Sequence, residues 1–298
     1  INLENLLEGL LAPILYPMDP AKRIYWVCIL SSLLLASIVV TIQNRKFDLR
    51  KQLQSLFNFN YWFNQSTAQD IAWMFINSVV RVSILIPIIG SHLWFTLVTG
   101  RFLQSNLGDA PEVQLPWFAI ASLYALVFLF FEDLSRYGLH FMMHRNRLLW
   151  RFHSVHHSAT TLTPLTLFRV HPVESIAYFF RGTLVFGLVS GAFIWFFGRQ
   201  LSTFDILGVD LLGFLFNVIG ANLRHSHIWL SFGRVEALFI SPAQHQVHHS
   251  RSNGHANLGT YLALWDRLFK TWKPSGETPI RDFGVEKFGT SKTLVVTN

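Results

Sequence analysis

The sequence predicts an all-α integral membrane protein, with about four transmembrane helical segments and a cytosol-facing, histidine-rich helical catalytic region. Three observations lead there. Of 298 residues, 51% are hydrophobic, 15% aromatic and only 14% charged, with positive mean hydropathy, whereas soluble domains are about one quarter charged. Uncharged apolar runs reach the length a helix needs to cross a bilayer. Five of the 13 histidines fall between His140 and His157, a clustering that composition alone does not produce.

Composition also excludes several classes. The single cysteine, Cys28, lies in an apolar run, which rules out an intrachain disulfide and cysteine-ligated zinc or iron-sulfur chemistry. The formal charge of +7 does not indicate nucleic acid, because the basic residues flank apolar spans, as expected of loops facing an anionic leaflet. The chain begins at Ile1 with no evident signal-peptide pattern, and no fixed-period repeat or low-complexity tract follows.

Residues 1–17 space Leu3, Leu6, Leu7, Leu10, Leu11 and Ile14 helically beside Glu4 and Glu8, a segment too short and acidic to span and suited to the interface. Ile24 to Ile42 is uncharged and forms the first span. Arg45, Lys46, Arg50 and Lys51 beyond it outnumber Lys22 and Arg23 before it, so its C-terminal end faces the cytoplasm. Residues 71–98, interrupted by Arg81, Pro87 and Gly90, return the chain outward as one tilted helix or one broken near Pro87. His92, alone there, is expected to pack between helices.

The acidic loop at 105–116 suits the opposite face. Residues 117–131 run inward, and nothing breaks the helix through Asp133 and Tyr137 to His140 and His144. Residues 176–197 and 204–220, joined by GRQLST, suggest a helical hairpin that returns His225 to the side where His157 was left. Asp205 and Asp210 in its second arm should face protein, water or the interface. From Arg224 the chain is mixed and soluble-looking.

Histidines at i and i+4, or at i, i+3 and i+4, project from one helical face, so His140 and His144 pair while His153, His156 and His157 form a triplet that His245, His248 and His249 repeat. Neutral imidazole ligates iron, zinc, copper or nickel, and eight converging imidazoles exceed what one ion can use, which points to two metals. A histidine-rich membrane metal transporter or metal-binding protein is the alternative, but its histidines should lie within the spans or in a long loop. A zinc hydrolase would need an open three-ligand site with a carboxylate base, and HExxH is absent.

In order, Asp133-x3-Tyr137-x2-His140-x3-His144, His153-x2-His156-His157, FRVHPVE, RHSH, HQVHHS and WDRLFKTW resemble the fatty acid hydroxylase and sterol desaturase superfamily of membrane non-haem di-iron oxygenases, over roughly residues 117–272. The resemblance implies an O2-dependent lipid hydroxylase or desaturase acting on an unactivated C–H of a fatty acyl, alkyl or sterol-like substrate. Its cofactors would be two iron ions, with O2 as co-substrate. Zinc could replace iron in purified protein, since it lies above Fe(II) in affinity order. The implied metal ligands are His140, His144, His153, His156, His157, His245, His248 and His249, with His225 as a ninth; His227 and His171 are possible additions. Asp133, Tyr137, His171, Glu174 and Asn257 are expected behind the ligands or against substrate. This chain reads HSH where the family commonly reads HSN, and HANLG with His255 where an NYG-like stretch is usual.

The expected organisation is an N-terminal interfacial helix and membrane anchor over 1–116, the di-metal catalytic domain over 117–272 and a polar tail over 273–298. Electrons must come from a separate donor, of cytochrome b5, ferredoxin or reductase type, because the chain carries neither a haem-attachment motif nor a dinucleotide-binding glycine loop. The expected location is a bacterial inner membrane or endoplasmic reticulum with the site facing the cytoplasm.

Overall fold

Helix α1 (Leu3–Leu15) opens the computed structural model, which describes residues 3–89, 92–110, 113–198 and 210–285. Leu3, Leu7, Leu11 and Ile14 are exposed, while Gly9 and Pro13 are buried. A Cβ on Gly9 would come within 2.8 Å of Val79 Cα. The leucine face is thus exposed, and the opposite face docks on protein.

Helix α2 (Trp26–Asn44) is the first long apolar helix and ends where Arg45 turns left-handed at φ 58°. Helix α3 (Leu49–Leu56), capped by the Asp48 carboxylate on the Lys51 N–H, folds back so that Leu56 joins Ala36 and Val40 in a core shared with Leu223 and Ile228. After α4 (Phe59–Trp62), α5 (Gln65–Val80) starts at the Asn64 cap and runs into a π-turn, Arg81–Leu85, and α6 (Ile86–Ile89). Helix α7 (His92–Leu107) follows. The stretch 71–98 is therefore not one uniform span. Pro87 lacks an N–H and would crowd the carbonyl of Ser83 in a regular helix, and Ser83 lies in the wider turn.

Three helices among the described residues are long and apolar enough to cross a membrane: α2, α8 (Trp117–Arg145) and α10 (Pro172–Phe197). The expectation of about four spans corresponds to these three, since α5 to α7 are interrupted and the second hairpin arm is described only as α11 (Asp210–Val218). Asp205 and most of the GRQLST connection lie outside the described residues. Helices α7 and α10 meet at Gly187 and Gly191, where an added Cβ would lie 2.4 Å from Phe95 Cβ and 2.7 Å from Thr96 O. Close approach at small residues is how helices associate in lipid, where the hydrophobic effect gives no drive.

Polar ties hold α8 and α10. Tyr124 and Ser190 share a 2.6 Å hydrogen bond, and Glu132 bonds both Arg136 at 2.6 Å and Arg181 at 2.7 Å. The remaining helices are short, α9 (Arg147–His157), α12 (Pro242–His248) and α13 (Leu264–Leu268), and among the described residues β-structure is limited to isolated bridges. Helix α5 reaches the histidine region directly. Asp70 pairs with Arg169 at 3.1 Å and accepts from Thr166 at 2.7 Å, while Asn77 donates to the Val170 carbonyl at 2.7 Å.

Candidate metal centre

Asn146 is the pivot between the first two histidine boxes. Its N–H closes α8 on the Met142 carbonyl, and its Oδ1 accepts the Leu148 and Leu149 N–H groups that open α9. An extended residue at this cap reverses the chain, so α9 returns its triplet to His140 and His144. The last triplet sits on α12, whose start is a reciprocal Ser241 and Gln244 capping box. His225 ends a 3-10 turn, Ala221–His225, pinned to α12 because the Gln246 amide donates to the carbonyls of Leu223 and Ile228, each at 2.9 Å.

All nine histidines converge in two groups. His140, His144, His153, His157 and His248 form one, and His156, His225, His245 and His249 the other, with the ligand atoms of each within 4.8 Å of one another. Within the groups Nε2 atoms approach to 3.1 Å (His140 and His153) and 3.0 Å (His225 and His249). The groups adjoin, with the rings of His157 and His249 stacked at 4.6 Å. None of the nine is more than 9% exposed.

Four of the nine rings have their far nitrogen held by an acceptor. The Nδ1–H of His140 donates to the Leu258 carbonyl at 2.7 Å, that of His153 to Glu174 Oε1 at 2.8 Å, that of His156 to the Arg169 carbonyl at 3.2 Å and that of His248 to the Ala256 carbonyl at 2.9 Å. Each bond fixes the tautomer that leaves Nε2 free to ligate. The buried Nε2 atoms of His157 and His248 have no hydrogen-bond partner in the protein, and buried polar atoms seldom go unpaired without cause. Orphaned imidazole nitrogens facing a common centre fit a soft or borderline metal ion. Burial, reinforced for His156 by neighbouring imidazoles, pushes His153 and His156 down to about 3. Burial first, then adjacent histidines, holds His157, His248 and His249 well below the usual range. The rings are therefore neutral donors at pH 7.

The other candidates lie elsewhere. Asp133 reaches no imidazole; it accepts the N–H groups of Tyr261 and Leu262 and the Trp265 indole N–H, at 2.9–3.0 Å. Tyr137 bonds Thr271 at 3.0 Å and stacks on Phe269. Asn257, at φ 55°, bridges the Gln244 carbonyl and the Lys273 N–H. His171 caps α10 beside Phe152, His227 donates to the Ser55 carbonyl at 2.8 Å, and His255 stands outside both groups with its ring 5.8 Å from that of His144. His92 packs against Phe179 and Phe186. Of the five residues expected behind the ligands, Glu174 alone bonds an imidazole of the two groups.

Sequence reasoning missed Asp266. Its carboxylate accepts the Leu258 and Gly259 N–H groups at 2.7 Å and the Thr271 hydroxyl at 2.6 Å, fixing the turn whose carbonyls at Ala256 and Leu258 orient His248 and His140. The WDRLF motif was the available signal, since its aspartate is the carboxylate nearest that turn along the chain.

A helical membrane chain that gathers nine buried imidazoles into two adjoining groups defines a class, the histidine-cluster membrane proteins. Residues 125–271, about half of the chain and all nine histidines, match the fatty acid hydroxylase family, and the chain belongs to the fatty acid hydroxylase and sterol desaturase superfamily. It is 26% identical over 51% of its length to an ornithine lipid hydroxylase of Rhizobium tropici, covering 43% of that protein. Over 56% of its length it is 27% identical to the alkylglycerol monooxygenase of Danio rerio, covering 34% of that protein. A very-long-chain aldehyde decarbonylase of Oryza sativa is 27% identical over 62% of the chain and 67% of its own length. The chain thus spans less than half the length of the first two relatives. No solved structure matches.

Proposed function

We propose that the protein is a membrane di-iron oxygenase that hydroxylates or desaturates an unactivated C–H bond of a lipid, using O2 and electrons from a separate donor. The observation that carries this is the gathering of nine neutral, buried imidazoles into groups of five and four, beside helices apolar enough to span. One ion has no use for nine ligands, and the relatives include a lipid hydroxylase and an alkylglycerol monooxygenase. His140, His144, His153, His157 and His248 would hold one iron and His156, His225, His245 and His249 the other. Bound there, the pair would supply O2 activation, with R–H, O2, two electrons and two protons giving R–OH and water.

The chain's own residues shape that chemistry. Glu174 places a carboxylate on His153 Nδ1, raising the donor strength of the ring. Leu258, Arg169 and Ala256 orient three more rings through carbonyls. Burial of every ligand excludes bulk water and directs the oxidant to an apolar substrate. A catalytic unit over 117–272 would then be anchored by residues 1–116, with its site at the cytoplasmic face, where a cytochrome b5, ferredoxin or reductase partner is available. The charge distribution favours that face, since Arg45, Lys46, Arg50 and Lys51 cluster after the first span and Arg145, Arg147 and Arg151 at the histidine end of α8.

Mass spectrometry of lipids from cells expressing the wild type or His157→Ala tests this function. A product heavier by one oxygen, or lighter by two hydrogens, should appear only with the wild type. Identical lipid profiles, with metal present in the wild type, would exclude it.

A further inference from the structure

A cavity of about 420 Å³ opens beside both histidine groups, reaching His140 and His153 of one and His156, His225 and His245 of the other. Much of its wall is apolar, including Met74, Leu85, Phe168 and Phe179, as a hydrocarbon would require. Its charge is one-sided. Lys22, Arg23, Arg81, Arg136 and Arg224 all line it, against a single acid, Glu174, which is engaged by His153.

Few of these cations are neutralised from within. Arg136 has Glu132, and Lys22 has only Asp19 at 3.9 Å. Arg224 is 2% exposed and donates to the carbonyls of Ile240 and Thr260, which carry no net charge. Among the described residues, the half-buried side chain of Arg23 and the exposed one of Arg81, at the cavity's open side, make no hydrogen bond or ion pair. Buried cations without counter-ions are costly, and guanidinium groups suit planar, bidentate recognition of carboxylate or phosphate. A neutral lipid would leave that cost in place, while an anionic head would remove it. Arg136 stands one helical turn before His140, and Arg224 adjoins His225, so the head and the histidines share one chamber.

We propose that the substrate of this oxygenase is an anionic amphiphile, a lipid whose carboxylate or phosphate docks on Arg23, Arg81 and Arg224 while its chain lies along the apolar wall. This rests on the oxygenase function proposed above and adds the chemistry of the headgroup.

Binding of three probes to the purified, metal-loaded chain in neutral detergent tests it: oleate, a lysophosphatidate with the same chain, and uncharged monoolein. One anionic probe should bind at least about tenfold more tightly than monoolein, and the tighter of the two identifies carboxylate or phosphate as the head. In Arg23→Gln and Arg81→Gln, which alter no histidine, that preference should shrink to about threefold or less with metal content unchanged. Monoolein binding as tightly as both acids, or a preference surviving in both variants, would overturn the proposal. Wild-type chain lacking metal would instead sink the oxygenase function, leaving the charge preference to be judged by the same titrations.

Discussion

At the level of single residues, His156 and His248 separate the two groups, because each belongs to a different one. His156→Ala and His248→Ala should each lower metal content and abolish turnover, measured by elemental analysis and lipid oxidation on the same samples. Glu174→Gln keeps an acceptor for His153 but removes its charge, so activity or metal affinity should fall about 10–100-fold with helicity unchanged by circular dichroism. Burial depresses His153 and His156 to about 3, so between that value and the ordinary 6.5 the unfolded chain binds more protons than the folded one. Their contribution to stability is present above pH 6.5 and is lost as pH falls towards 3; a denaturation midpoint higher at pH 5 than at pH 7.5 would contradict this. The histidine boxes were legible because helical spacing is written in the sequence. The carbonyls of Ala256, Leu258 and Arg169 that aim the rings were not, since a backbone acceptor has no residue signature. Asp133 was misleading for a related reason: two turns before His140, it turns instead to the segment carrying Trp265.

Among elements, α5 ties the N-terminal region to the segment that orients the histidine groups. Asp70 and Arg169 are both at most 1% exposed, and removing one partner of such a pair costs about 3–5 kcal/mol. Asp70→Asn should therefore lower the unfolding midpoint and, by loosening Arg169, free the carbonyl that orients His156; thermal unfolding together with metal content would detect both. Gly191→Leu should separate α7 from α10, because its side chain would meet backbone at Thr96, and the protein should lose its single sharp peak on gel filtration in detergent. Hydropathy located the long apolar helices α2, α8 and α10. It did not reveal the π-turn, which arises from one proline against one carbonyl, nor the docking of α1 on Val79, where the informative residue is a glycine without polarity.

Across the whole molecule, the orientation proposed from the basic clusters predicts that a reporter fused after Asn298 is cytoplasmic and one inserted near Asp109 is not. Accessibility labelling in intact cells reads both, and the opposite pattern would set the site away from cytosolic reductants. The cationic cavity was invisible along the chain because Lys22, Arg23, Arg81, Arg136 and Arg224 come from four separate segments. The ligand groups are distributed unequally as well. Four of the five histidines in the first group precede α10, whereas three of the four in the second follow it. During synthesis the ribosome therefore delivers four of the five histidines of one group before α10, but only His156 of the other. On the di-iron reading proposed above, this layout would order biogenesis: one ion would meet four of its five ligands early in the nascent chain, and the second would be the closing step of maturation.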